Sequence, residues 1–294
     1  HPMNKPRLIA VGSSALVAHE IAGITSALLG PSLSIETMLT TEIEAPAPDT
    51  FYICAVTQED RLRRVLPAAQ LYVFDLHPTT RFFLDIAKIP AGETVYVFNN
   101  LYPYTELLIK ECHELGINEL HFRPLAFEEM PLPALLDELE QARWLIGVEP
   151  FVGKDLLLAP PYREHLRPDL TIIPGRRTAS VTSACQLLTG LAEYHQLHLK
   201  NEYQALHTTA EQTPKRLLAL ARKIEGITCL LQRASLEAIK QQIGNTTASD
   251  ADAVSDCPLE GTDDGDLCAL IEDRFATLTY LTDRLHRLSR PPEH

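Results

Sequence analysis

No apolar run in this 294-residue chain approaches the about 18 residues that a bilayer-crossing helix needs. No signal-peptide core is seen either: HPMNKPRL passes straight into the first apolar run, and His1-Pro2 reads as a cloning remnant before Met3. The six cysteines, at 54, 112, 185, 229, 257 and 268, form no CxxC pair and have no histidine at zinc-finger spacing. Cys54, Cys112 and Cys185 lie inside apolar patterns, where a free thiol acts as a small core hydrophobe. Reduced thiols are therefore expected, and with them a cytoplasmic protein. Basic charge is short as well: 26 Lys and Arg against 39 Asp and Glu give a net −13, which disfavours direct nucleic-acid binding. GxSxG, HExxH, DxDxG, GxGxxG, the P-loop lysine and the kinase signatures are all missing, so no cofactor or metal is expected.

What the chain has is a rhythm that stops. From Arg7 to about Gln196, short apolar runs (RLIAVG, LSIETML, TFYICAV, LYVFDL, TVYVFNN, ELHFRPL, WLIGVE, LTIIPG) alternate with helix-length segments. Strand, crossover helix, strand repeated in this way reads as an α/β fold with mainly parallel sheets. We expect two Rossmann-like lobes, 7–92 and 93–177, with one continuous sheet as the competing arrangement. A connecting helix over 178–204 follows, opened by Thr178 or Ser180.

Beyond it the strands vanish. Thr213-Pro214 suits a cap and first turn, and Leu217, Leu220, Ile224, Ile227, Leu231 and Ala234 follow coiled-coil spacing. A second seam uses Ile271, Leu278, Leu281, Leu285 and Leu288, interrupted by Arg274. The segment 245–266 has seven acidic and no basic residues, so 213–290 reads as a helical hairpin or coiled coil around an acidic flexible linker. Such short seams point to a homodimer through the C-terminal helices.

Open parallel sheets hold ligands beyond the carboxyl ends of their strands. Gly12-Ser13-Ser14 ends the first strand, and free N–H groups there attract an anion, although a plain capped turn explains Ser13 and Ser14 equally well. Asn99 and Asn100 close VYVFNN and precede Tyr102 in LYPY, a set suited to hydrogen bonding and stacking, or simply to a turn. Arg123 in HFRP and Glu149 in GVEP each end a strand before proline. Gly175-Arg176-Arg177, just ahead of Thr178, offers a carboxylate or phosphate clamp, or a solvated pair. Asp75 and His77 follow the fourth strand, where Asp–x–His can orient a proton carrier.

VYVFNNLYPYTELLIKECHELGINELHFRPL and LTIIPGRRTASVTSACQLL together resemble the N-terminal sensor of bacterial transcription regulators of the propionate-catabolism-activator type, and related effector domains of sigma-54-dependent activators. The resemblance covers about residues 7–200 and implies an effector in the cleft between two lobes, with Asn99, Asn100, Arg176 and Thr178 near the effector or the hinge. The chain departs from such regulators in lacking a Walker A motif and a helix-turn-helix. The expectation is a cytoplasmic module that senses a small-molecule effector and signals through its C-terminal helices, without membrane contact. The alternatives are an isomerase- or racemase-like enzyme on the same fold and a helical scaffold protein.

Overall fold

The computed structural model describes residues 5–208, 213–244 and 266–291. Most of the expected acidic linker, 245–265, lies outside them.

The first sheet contains β1 (Arg7–Gly12), β2 (Ile35–Leu39), β3 (Thr50–Ala55) and β4 (Leu71–Phe74), all parallel, in the order β2-β1-β3-β4. The second contains β6 (Thr94–Asn99), β7 (His121–Ala126), β8 (Trp144–Val148) and β9 (Thr171–Gly175), again all parallel, in the order β7-β6-β8-β9. The central strands are buried on both faces, which explains why they read as continuous apolar runs rather than alternations. Pro124 is tolerated because β7 is an edge strand. Two separate sheets, rather than one, form the α/β body.

Between them the chain crosses twice. β5 (Leu76–Pro78) leaves the first sheet and β10 (Arg177–Ala179) returns from the second, and the two pair antiparallel as a small bridge. These three-residue strands fall below the length at which a sequence pattern is readable. They also move the lobe boundary. Helix α3 (Thr80–Ala87), placed in the first lobe by the sequence, buries Phe82 and Ile86 against Val95, Val97 and Ile173 of the second sheet. The lobes divide at about 75–79, not at 92.

Each sheet is covered on both faces. In the first lobe α1 (Ala15–Leu29) and α7 (Val181–Thr208) bury Ile21, Leu28, Leu187 and Leu191 on Leu8, Phe51 and Phe74. The short α2 (Glu59–Arg63) sets Leu62 against the opposite face, on Ile9, Tyr52 and Cys54. The helix stays short because Pro67 disfavours helical backbone at Leu66. In the second lobe α3 and α4 (Tyr102–Glu114) cover one face, while α5 (Leu132–Leu139) and α6 (Glu149–Val152) cover the other.

The C-terminal region differs from a two-helix hairpin. α8 (Pro214–Lys240) and α9 (Leu267–Leu288) pack on each other and on α7, making a three-helix bundle whose core continues into the first sheet's. Thr213 caps α8 through Arg216 N at 3.3 Å, as its sequence suggested. The expected α8 seam faces inward, and Phe275 fills the gap that Arg274 left in the second seam, while Leu288 stays exposed. α7 is thus no passive connector: it packs on the apolar seams of α8 and α9 within the same chain.

Two tests follow from packing. An added Cβ at Gly147 on β8 would sit 2.2 Å from the Phe98 carbonyl oxygen, and backbone cannot move aside cheaply. Gly147→Ala is expected to lower stability by about 1–3 kcal/mol in urea denaturation. Gly23, exposed on α1 with open space around it, is expected to gain about 0.5–1 kcal/mol on substitution by alanine. A third test comes from ionisation: on α7 burial and the nearby His198 lower the pKa of His195 from 6.5 to about 4. The unfolded chain then binds the extra proton, so stability is full above pH 6.5 and falls as pH drops towards 4. Subtracting the stability–pH curve of His195→Gln from wild type isolates that slope; parallel curves contradict it.

Candidate functional site

β5 follows the carboxyl end of β4 and β10 follows that of β9, so the two parallel sheets both turn their carboxyl ends towards the paired β5 and β10. Gly12 ends β1 because α1 approaches it closely: a Cβ there would lie 2.4 Å from Ala18 N. Ser14 caps α1 with Oγ accepting from Val17 N at 3.4 Å, and Ser13 is exposed beside it. Asn99, 2 % exposed, donates from Nδ2 to Asn100 Oδ1 at 2.9 Å. The Asn100 oxygen also accepts from Leu101 N at 3.0 Å, so Asn100 holds the entry into α4. Asn99 Oδ1 is buried with no hydrogen-bond partner among the described residues. Such an orphan acceptor costs about 1–3 kcal/mol unless a donor reaches it.

The two helix entrances differ in charge. Tyr102 N at the start of α4 donates to Glu129 Oε2 at 3.0 Å, so a carboxylate already occupies the anion-favouring end of that helix. α1 has only the neutral Ser14 at its N-terminus, which leaves it the entrance hospitable to an anionic group. Glu129 had no motif to mark it in the sequence. Glu149, the first residue of α6, is exposed at the end of β8, as expected.

Other expected positions move. Arg123 does not end its strand: β7 continues through Pro124 to Ala126, and Arg123 sits in mid-strand. Its Nη2 donates to Glu138 Oε1 at 2.8 Å on α5, and its guanidinium lies 6.0 Å from the Tyr96 ring centroid. Thr178 is not a helix cap: it lies buried in β10, the strand paired with β5, and donates to Gln241 Oε1 at 3.0 Å. Ser180 caps α7 instead, accepting from Ser183 N at 3.2 Å. Arg176 is exposed at the crossing, where its carbonyl accepts from Thr79 N at 2.9 Å.

Its neighbour Arg177 is the arginine that the structure uses. From β10 it makes a bidentate pair with Glu20 of α1, through Nε to Oε2 at 2.9 Å and through Nη2 to Oε1. The two side chains are only 11 % and 7 % exposed. The guanidinium also lies over Tyr104 of α4, 5.4 Å from the ring centroid. One side chain thus links the crossing strand, the first lobe and the second. Burial alone would lower the pKa of Arg177, but the charge and hydrogen bonds of Glu20 raise it on balance. Burial also pushes the Tyr104 phenol up, against the pull of the Arg177 charge.

Around this clamp the lobes touch. Leu16 and Val17 of α1 pack into the second lobe's cluster of Phe151, Val152 and Phe98. The lobes therefore meet over packed side chains here, rather than standing apart over an open gap. Ser13, Val56, Leu101 and Glu149 remain exposed at the strand ends.

The proton-carrier candidates lie elsewhere. His77 Nε2 is 2.9 Å from Asp75 Oδ2, and His77 lines a shallow depression of about 240 Å³ with Phe83, Glu111 and Glu114. A second depression, about 530 Å³, runs along the outer face of α4 over Ile109, Lys110 and His113. Among the described residues no group of three or more His, Cys, Asp or Glu is placed to hold a metal ion. A two-cysteine racemase chemistry would need Cys54 and Cys185 ionised, but both are buried, and burial pushes Cys54 up to about 12 and raises Cys185 as well. No described helix is long and apolar enough to cross a membrane.

Comparison with family models, curated proteins and solved structures returned no match to this chain.

The clamp has a measurable consequence. Arg177→Met strands a buried Glu20 carboxylate and is expected to cost about 3–5 kcal/mol in urea denaturation. In the double variant Arg177→Met/Glu20→Leu neither charge remains, so the loss should be smaller than the sum of the single losses. Additive losses would show that the two side chains do not act as a pair.

Proposed function

We propose that the chain is a small-molecule effector-sensing module of a bacterial transcription or signalling regulator. The effector binds at the strand ends around Ser13, Ser14, Asn99, Asn100, Tyr102 and Glu149. The single observation that supports this reading most is the opposition of two parallel sheets, carboxyl ends inward, across a double crossing. In open α/β sheets that edge is where ligands bind, and two lobes joined by two short strands are the architecture of hinge closure. The orphan Asn99 Oδ1 favours an effector with a hydrogen-bond donor, and the uncovered N-terminus of α1 favours one with an anionic group. A small hydroxylated or amide-bearing carboxylate has both.

The resemblance of residues 7–200 to sensors of the propionate-catabolism-activator type belongs to the same proposal, as do a cytoplasmic location and signalling through the helices. So does a homodimer through the C-terminal region. With both seams facing inward, its contact falls to outward side chains such as Leu236 and Ile239.

The test is a thermal-shift screen of the whole chain against small carboxylates, phenols and acyl metabolites. At least one class should raise the melting temperature, by an amount that grows with ligand concentration. Asn100→Ala and Ser13→Ala should then weaken binding, while Arg123→Ala, away from the strand ends, should not. Equal loss in all three variants, or no stabilisation by any class, would count against the site.

A further inference from the structure

The last turn of α8 touches three parts of the molecule at once. After Lys240 the chain makes a tight turn over residues 241–244. Gln241 Oε1 accepts from Thr178 of β10 at 3.0 Å, and Gln242 Nε2 donates to the Ala179 carbonyl of the same strand at 2.8 Å. The Gln242 carbonyl accepts from Thr80 N at 3.0 Å and from Thr80 Oγ1 at 3.2 Å, and the Ile243 carbonyl accepts from Arg81 N at 3.1 Å. Thr80 and Arg81 open α3, the first helix of the second lobe. Gly244 closes the turn at φ 83, and a Cβ there would lie 2.3 Å from Thr79 Oγ1. Only glycine combines that backbone with that approach.

The arrangement follows from what helix ends lack. The first N–H groups of a helix and the last carbonyls of another have no partners within their own helices. Here the carbonyls after α8 satisfy the donors at the start of α3, so the carboxyl end of one helix meets the amino end of the other. The rest of α8 belongs to the first lobe. Leu220, Ile224 and Leu231 are in the core shared with the first sheet, and Arg233 Nη2 donates to the Leu29 carbonyl at the end of α1 at 3.3 Å. α8 is therefore anchored on one lobe along its length and bonded to the crossing strands and the other lobe at its tip.

We propose that the 241–244 turn is a latch that couples lobe position to the order of the end of α8. When the second lobe rotates about the β5–β10 bridge, the start of α3 moves relative to the first lobe. The turn then either follows, fraying the last turn of α8, or loses its bonds to Thr80 and Arg81. Closed lobes cap α8, and parted lobes release it. The latch rests on the reading of the lobes as hinged, but it does not depend on which effector binds, or on whether any does. Coupling of this kind is reciprocal: whatever loosens the turn must also loosen the lobes.

Hydrogen exchange of the whole chain, followed by mass spectrometry without any ligand, tests it in both directions. Gln242→Ala should speed exchange at the start of α3 by about five- to tenfold, the effect of losing roughly one buried hydrogen bond. β1 and α9 should be unchanged. Thr80→Val, a milder change on the opposite side that removes only the hydroxyl donor, should speed exchange over 240–244 and serves if Gln242→Ala fails to fold. Glu20→Gln, which weakens the lobe clamp about the Arg177 side chain, should also speed exchange over 240–244, although it touches none of those residues. Faster exchange at α1 and α4 in Glu20→Gln with 240–244 unchanged would overturn the latch and leave a static cap. No change at α3 in a folded Gln242→Ala would overturn it as well.

Discussion

A guanidinium buried where a chain passes from one lobe to another must be paired or it is very costly. Arg177 meets that demand with Glu20 from the first lobe and rests on Tyr104 from the second, so one guanidinium contacts both lobes. Little net stability need come from such a pair, because desolvation offsets most of its Coulomb energy. What it contributes is position. Hydrophobic contacts such as Leu16 and Val17 on Phe151 are non-directional and tolerate sliding. A bidentate pair with two side chains nearly excluded from water does not. The rest of the architecture, from the inward-facing strand ends to the docked tip of α8, depends on the register that this pair fixes.

The helical region gains a different meaning in that frame. Its apolar seams bind it to the first lobe, and its 241–244 turn reaches the second. In the proposed sensor a signal would have a short physical route: the β5–β10 bridge, Thr178 and Ala179, then Gln241 and Gln242. Each step is a hydrogen bond between neighbouring groups, so the route needs no long-range wire. The bundle also accounts for the placement of α7, whose one face covers the sheet while others meet α8 and α9.

The sequence disclosed the two parallel sheets because strands buried on both faces leave long apolar runs, and crossover helices separate them at regular spacing. It disclosed the α8 cap because Thr213-Pro214 is a local signal. The bridge strands stayed hidden, since LHP and RTA carry no periodicity, and with them went the true lobe boundary and the allegiance of α3. Of two adjacent arginines, Arg176 and Arg177, only alternation along β10 decides which turns inward, and a strand too short to recognise gives no alternation to read. Ser13, Ser14, Asn99, Asn100, Tyr102 and Glu149 do lie at strand ends, since strand ends are where the apolar runs stop. Arg123 was misplaced for the opposite reason: the proline after it looked like an end, yet an edge strand accommodates proline. The seams of α8 and α9 are covered by α7 of the same chain, a long-range outcome that spacing cannot reveal.

The central claim is that the lobes are hinged and held together by Arg177 and Glu20. The most direct measurement is the distribution of distances between spin labels at Arg61 in the first lobe and Lys110 in the second, with accessible cysteines replaced. Wild type should give one narrow distribution, and Glu20→Gln should add a second, longer population while the chain stays folded. Identical narrow distributions in both proteins would mean that the lobes form one rigid block, and the account would be wrong.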